Sequence, residues 1–141
     1  MDFLNTPNFR IMQKSLDVLW QKMNVTSHNI SNIDTPHYKA KKLEFETILR
    51  QKLNAVNNSH ALAMRYKRIF SPGGGKIREL LDSVNPQIVI DKTTETRTDG
   101  NNVDIDYENL ELTRNKLQYD FMVRKISDEF SLLRHAISEG R

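Results

Sequence analysis

The chain has 141 residues, 38% of them hydrophobic and 28% charged, with a formal net charge of +3 and a mean hydropathy of −0.62. That length allows one small domain with one core, and the lean apolar supply suits helices that finish their burial between subunits. No run of about 18 apolar residues is available to cross a membrane; the stretch from Met1 to Pro7 lacks the basic start and apolar centre of a cleavable secretory signal, and the absence of cysteine excludes disulfides and thiolate metal sites.

Charge is unevenly placed. Residues 1–76 carry 12 Lys or Arg against 5 Asp or Glu, and residues 77–141 carry 9 against 13. The positive residues are spread over several segments and answered by acids downstream, which fits pairing of the two halves better than binding of phosphates.

From Phe9 to Ile33 the chain reads as one amphipathic helix about 40 Å long. Phe9, Met12, Leu16, Leu19, Met23, Thr26, Ile30 and Ile33 alternate spacings of three and four, a heptad seam. Asn5 or Thr6 before Pro7 supplies an N-cap and a first-turn proline. Ile11, Val18, Trp20 and Val25 lie off the seam, so this helix is expected to meet more than one partner.

The seam ends in Asn29-Ile-Ser-Asn-Ile-Asp-Thr-Pro-His-Tyr-Lys39. Asn29 and Asn32 share a helix face, and their amides are expected to bond backbone groups freed at the helix end. Thr35-Pro36 is expected to stop the helix, because proline lacks the N–H of a further turn and pushes the preceding residue to extended geometry.

A second helix is expected from about Leu43 to Ala55, with Leu43, Ile48, Leu49, Leu53 and Val56 apolar, ending at Asn57-Asn58-Ser59. Ala61 to Phe70 is ambiguous, Ser71-Pro72-Gly73-Gly74-Gly75 reads as a flexible break, and Ile77 to Val84 allows two weak helical turns. Gln87 to Asp91 reads as a strand, with Thr93 to Thr98 as its hairpin partner. Two strands alone need a helix to pack on.

The last helix is expected to start at Asp104, which caps it, with Asp106, Glu108 and Glu111 set favourably against the dipole and Gly140 as its stop. Leu112, Tyr119, Val123, Ile126, Phe130, Leu133 and Ile137 form its seam, and Leu117, Phe121 and Met122 widen the stripe. The fold class is therefore mainly α: long N- and C-terminal helices paired as an antiparallel coiled coil, a shorter middle helix, a Gly-rich break and a small β-hairpin. The whole forms one unit, with residues 1–56 as its N-terminal part, 57–98 as a flexible or partner-ordered middle and 99–141 as its C-terminal helix.

Motifs for chemistry fail on inspection. Gly73-Gly74-Gly75-Lys76 lacks the first glycine of a phosphate loop and has Ile77 where a hydroxyl would hold magnesium. Asp99-Gly100-Asn101-Asn102-Val103-Asp104 offers oxygens, but a calcium loop would need glycine at Asp104 and an acid at Leu110, so a tight turn into a helix cap is the better reading. His28, His37, His60 and His135 have neither i,i+4 pairing nor partner cysteines. Arg65-Tyr66-Lys67-Arg68 is one isolated basic cluster, short of a nucleic-acid-binding face. No serine sits in a nucleophile elbow and no pair of acids is marked out for acid–base work, so an enzyme is the least favoured class, with no metal or cofactor expected.

The segment Asn29 to Lys39 resembles the mark of the bacterial flagellar axial proteins, the rod, hook and hook-associated subunits, at Asn29, Asn32, Ile33, Thr35, Pro36, Tyr38 and Lys39. A second match lies at Gly100, Asn101, Asn102 and Val103, followed directly by the last helix. Within the family, the short length and the Asp-Gly-Asn-Asn-Val-Asp run look most like a proximal rod subunit. The resemblance implies self-association through the seam residues Met12, Leu16, Leu19, Met23, Ile30, Tyr119, Val123, Ile126, Phe130, Leu133 and Ile137. It implies other rod subunits and the basal rod adaptor as partners, export through the flagellar type III apparatus, and a place in the rod that crosses the periplasm. The alternative from another class is a soluble helical adaptor or regulator that closes as a dimer through the same seams.

Overall fold

The computed structural model describes residues 6–57, 81–92 and 97–139. The Gly-rich break, the segment 61–70, residues 77–80 of the turns expected over 77–84, residues 93–96 of the strand expected over 93–98 and the stop at Gly140 lie outside them. The elements are α1 (Pro7–Ser31), β1 (Lys41–Glu44), α2 (Glu46–Asn57), β2 (Gln87–Ile90) and α3 (Ile105–Glu139).

Helix α1 begins as its cap chemistry dictates. The Thr6 hydroxyl accepts from the Phe9 N–H at 3.4 Å, with Pro7 in the first turn. Its end corrects the expectation: α1 stops at Ser31 with Asn32 as C-cap, before Ile33 and well before Pro36. The N–H of Asn32 and that of Ile33 reach back three residues, to Asn29 and Ile30, and the chain continues through turns to His37. The last turn tightens and unwinds where its asparagine carbonyls find other donors.

The shorter helix also starts later than expected. Leu43 belongs to β1, whose alternating exposure turns Lys41 and Leu43 inward and Lys42 and Glu44 outward, and α2 follows from Glu46. No hairpin forms on β2 among the described residues. It pairs antiparallel with β1, with Lys41 opposite Ile90 and Glu44 opposite Gln87. Its partner among the described residues is thus a strand from the first half of the chain, and α1 supplies the helix on which β1 packs.

The terminal helices pack together antiparallel. Asn29 near the end of α1 bonds Glu108 near the start of α3 at 3.0 Å, and the Phe9 ring meets Phe130 edge-on at 5.7 Å. On α1, Leu19 and Thr26 are buried, and Met12, Leu16, Met23 and Ile30 are half-buried. Val18, placed off the seam by spacing, is buried in the core with Phe45 and Val84, flanked by Leu43, Ile48 and Leu49. Val84 is 0% exposed, so residues 81–92 of the middle segment include a part of the core.

On α3 the seam differs from the apolar pattern. Its least exposed positions include Glu108, Leu112, Asn115, Tyr119, Met122, Ile126, Glu129 and Leu133, spaced by four and three in turn. Val123, Phe130 and Ile137 are exposed instead. Glu108 and Asn115 take two of the buried positions at the start of the helix, so a reading that counts only apolar residues drifts to a neighbouring stripe. Charge joins the two halves of the chain at α1 through the middle segment. Among the described residues, ion pairs of α1 run from Arg10 to Asp82 at 3.7 Å and from Lys22 to Glu46 at 2.5 Å.

Candidate functional site

The two segments singled out by sequence, 29–39 and 99–104, interlock at one end of the helix pair. Asn29 is 1% exposed and uses every hydrogen-bonding position of its amide. Its oxygen accepts from the Lys41 N–H at 2.9 Å and from the Tyr38 hydroxyl at 3.1 Å. Its nitrogen donates to the Lys41 carbonyl at 2.7 Å and to Glu108 Oε1 at 3.0 Å. One side chain thereby fastens α1 to β1, to the turn and to α3. The expectation that Asn29 caps its own helix end is corrected; only Asn32 does so, donating to the His28 carbonyl at 2.8 Å while its oxygen accepts from the Thr35 hydroxyl at 3.3 Å.

The carbonyls freed at the end of α1 are met from the far end of the sequence. Asn101, 0% exposed, points its Nδ2 at the carbonyls of Asn32, Ile33 and Thr35, at 3.0, 2.9 and 2.9 Å. Its oxygen accepts from the Val103 N–H at 2.8 Å. Arg97 adds a bond to the Ile33 carbonyl at 3.1 Å and ion pairs with Asp34 and Asp99 at 3.6 and 3.4 Å. Asn102 closes the sheet: its oxygen accepts from the Ala40 N–H at 2.6 Å, and its nitrogen donates to the Asp91 carbonyl at 2.9 Å. The side-chain amide takes the place of one of the two ladder bonds between residues 40 and 91, that from the Ala40 N–H to the Asp91 carbonyl.

Two backbone positions make this closeness possible. Gly100 has φ +78°, and a Cβ there would lie 2.9 Å from His37 Nδ1. His37 itself has φ 60°, and its N–H donates to the Asp99 carbonyl at 3.0 Å, so the loops touch main chain to main chain. Thr35 and Pro36 are exposed on the turn, Ile33 and Lys39 are half-buried, and Val103 is buried.

The electrostatics follow from burial. Glu108 is held above the usual carboxylate range by desolvation, opposed by the Asn29 hydrogen bond and by Lys42, and raised further by Glu111 and Asp104. Desolvation also raises the Tyr38 phenol, helped by the Glu108 charge. Glu108, Arg97 and Asp91 escape a reading by sequence alone, since the contacts by which Glu108 meets Asn29, Arg97 meets Ile33 and Asp34, and Asp91 meets Ala40 each join residues far apart in the chain. Glu108 stands in the first turn of α3, where its charge by sequence alone answers to the helix dipole.

Further along the helix pair lies an apolar surface. A groove of about 520 Å³ is lined by Leu19, Phe45, Leu49, Leu117, Phe121 and Met122, with Leu117 and Phe121 two-thirds exposed, and Trp20 stands exposed on α1.

No family model matches the chain. Individual relatives do. It is 35% identical over 121 residues to the flagellar basal body rod protein FlgB of Bacillus subtilis, covering 85% of this chain and 84% of the relative. The protein of the same name from Borreliella burgdorferi is 37% identical over 122 residues, 86% of this chain and 87% of its own length.

The chain belongs to the FlgB family of flagellar basal-body rod proteins.

The Escherichia coli FlgB is more distant, 24% identical, but the match spans 93% of both chains. These matches take in most of the chain, so the family likeness is not confined to the two ends that carry the motifs. All three relatives carry the name of flagellar basal body rod protein.

Proposed function

We infer that the chain is a structural subunit of the flagellar basal-body rod, at its proximal end, and that it serves motility by polymerising. The observation that carries this is its FlgB identity over most of its length, with both signature segments engaged in one junction. No feature of the relatives favours a closed adaptor dimer built on the helical seams.

The subunit contributes a pair of terminal helices locked at one end. Asn29 and Asn101 fix where the chain leaves α1 and where it enters α3, so the helices are presented to neighbours at one angle. In the rod the pair extends as a coiled coil, and Leu117, Phe121, Trp20 and Ile137, exposed in the single chain, are covered by adjacent subunits. The seam residues Met12, Leu16, Leu19, Met23 and Ile30 of α1 and Tyr119, Ile126 and Leu133 of α3 hold the pair itself. The neighbours are other rod subunits and the basal rod adaptor. The route is the flagellar type III export apparatus, and the site is the periplasmic rod. What supports these finer points is the resemblance of the signature segments together with the exposed apolar surface.

The test replaces exposed residues, so that folding is spared. Strains carrying Leu117→Asp or Phe121→Asp in place of the wild-type gene are expected to lose motility while the purified variants keep wild-type circular dichroism. Motile strains with both variants would refute coverage of that face in the rod.

A further inference from the structure

The register of the sheet states which backbone groups point outward. The Asp91 N–H donates to the Ala40 carbonyl at 2.8 Å, and residues 40 and 91 continue the pairing of Lys41 with Ile90. Bonded and non-bonded pairs alternate in an antiparallel ladder. Gln87 and Val89 therefore turn their N–H and C=O groups toward β1, and Ile88 and Ile90 turn theirs away. Lys41 and Leu43 do the same on the opposite edge. There the Asn29 amide takes both groups of Lys41, standing in for a neighbouring strand. On the β2 edge, the outward groups of Ile88 and Ile90 have no partner among the described residues. The side chains there are apolar and open: Ile88 is 59%, Val89 41% and Ile90 47% exposed. An unprotected apolar edge is a template for another strand.

We propose that this edge pairs with the same edge of a second copy of the chain, antiparallel about a two-fold axis at Val89. In that register Ile88 of one copy faces Ile90 of the other, and these are the residues whose N–H and C=O groups point outward, so every outward group finds a partner. The ladder grows from two strands to four. Gln87 then faces Asp91 of the second copy and Pro86 faces Lys92, so no like charges meet. The isoleucines of both copies share one face, which extends the apolar row begun by Leu43.

The edge is one strand of four residues, and so short a pairing is marginal alone, so it is reversible and grows with concentration. It is isologous and closes at two, whereas a rod grows through heterologous contacts. The pair therefore belongs to the chain outside the rod, where it covers an aggregation-prone edge. It leaves the helical seams unused and stands independently of the rod assignment.

The chain has no cysteine, so single cysteines report the register. Cα atoms of a non-bonded antiparallel pair lie about 4.5 Å apart, within the span a disulfide bridges. Under mild oxidation the full-length Val89→Cys variant is expected to form a covalent dimer at least about tenfold faster than Ile137→Cys, although position 137 is more exposed, because pairing makes the reaction effectively intramolecular. A mixture of Ile88→Cys and Ile90→Cys should cross-link, and neither alone. By sedimentation, Val89→Lys and Val89→Glu should each be monomeric, and an equimolar mixture should pair again. Motility of the Val89→Lys strain should be unchanged. Equal rates for Val89→Cys and Ile137→Cys, cross-linking of Ile88→Cys by itself, or capture by Val89→Cys in cells of a different protein instead of itself would each overturn the proposal.

Discussion

Asn101 is the residue on which the junction depends most, and two substitutions there separate packing from polarity. Its Nδ2 serves three carbonyls at 2.9 to 3.0 Å and its oxygen holds the Val103 N–H. Each carbonyl has a second donor: the Asn32 carbonyl bonds the Thr35 N–H, that of Thr35 bonds the Tyr38 N–H, and that of Ile33 bonds Arg97. Asn101→Ala therefore orphans chiefly one buried N–H, at about 1–3 kcal/mol, and removes donor bonds worth about 1 kcal/mol in net terms, for a loss of about 3 kcal/mol. Asn101→Asp keeps the acceptor for Val103 but sets a carboxylate oxygen against three carbonyl oxygens in a site with no exposure. Its cost is larger, about 4–5 kcal/mol, despite the conserved shape. Against a total stability of about 5–15 kcal/mol, either change is severe. Thermal and urea denaturation of the purified variants measures it, with a fall in Tm of about 10 °C expected for the alanine variant. A loss under 1 kcal/mol for alanine, or an aspartate variant more stable than the alanine one, would refute the reasoning.

Further substitutions test neighbouring parts of the account. Gly100→Ala should cost about 1–3 kcal/mol from its positive φ and its contact with His37, and combining it with His37→Gly should recover the contact part, read in a double-mutant denaturation cycle. Val84→Ala should lose about 2 kcal/mol by urea denaturation, since it empties part of a fully buried site shared with Val18 and Phe45. The Glu108 carboxyl is raised above its ordinary value of 4.5 in the fold, so the folded state holds the proton more tightly than the unfolded chain. Its contribution to stability falls as pH rises from the ordinary value through the raised one. Glu108→Gln should flatten that part of the stability profile, and an unchanged pH profile would contradict the assignment.

Local chemistry was legible where it acts over a few residues. Thr6-Pro7 and Asp104 start helices through bonds within one turn, and the Asp104 carboxylate does accept from the Asp106 and Tyr107 N–H groups at 3.0 and 3.2 Å. Strand β1 was hidden because Lys-Lys-Leu-Glu is short and charged, and its one leucine also fits the helical spacing of α2. The partner of β2 was a choice between a nearby segment and one more than 40 residues away, which spacing does not decide. The α3 seam shifted because Glu108 and Asn115 are buried polar residues, and Glu108 is tolerated there by the Asn29 bond and by Lys42. The signature asparagines were found through the family resemblance. What they touch was not, because the bonds of Asn29 to Glu108 and of Asn101 to the end of α1 cross more than 60 residues of sequence.

The rod assignment is tested most directly by quantitative mass spectrometry of hook and basal-body particles purified from the bacterium that makes this chain. Several copies per particle, retained when hook and filament are stripped away, are expected of a proximal rod subunit. Particles that contain the other rod proteins but not this chain would contradict the account.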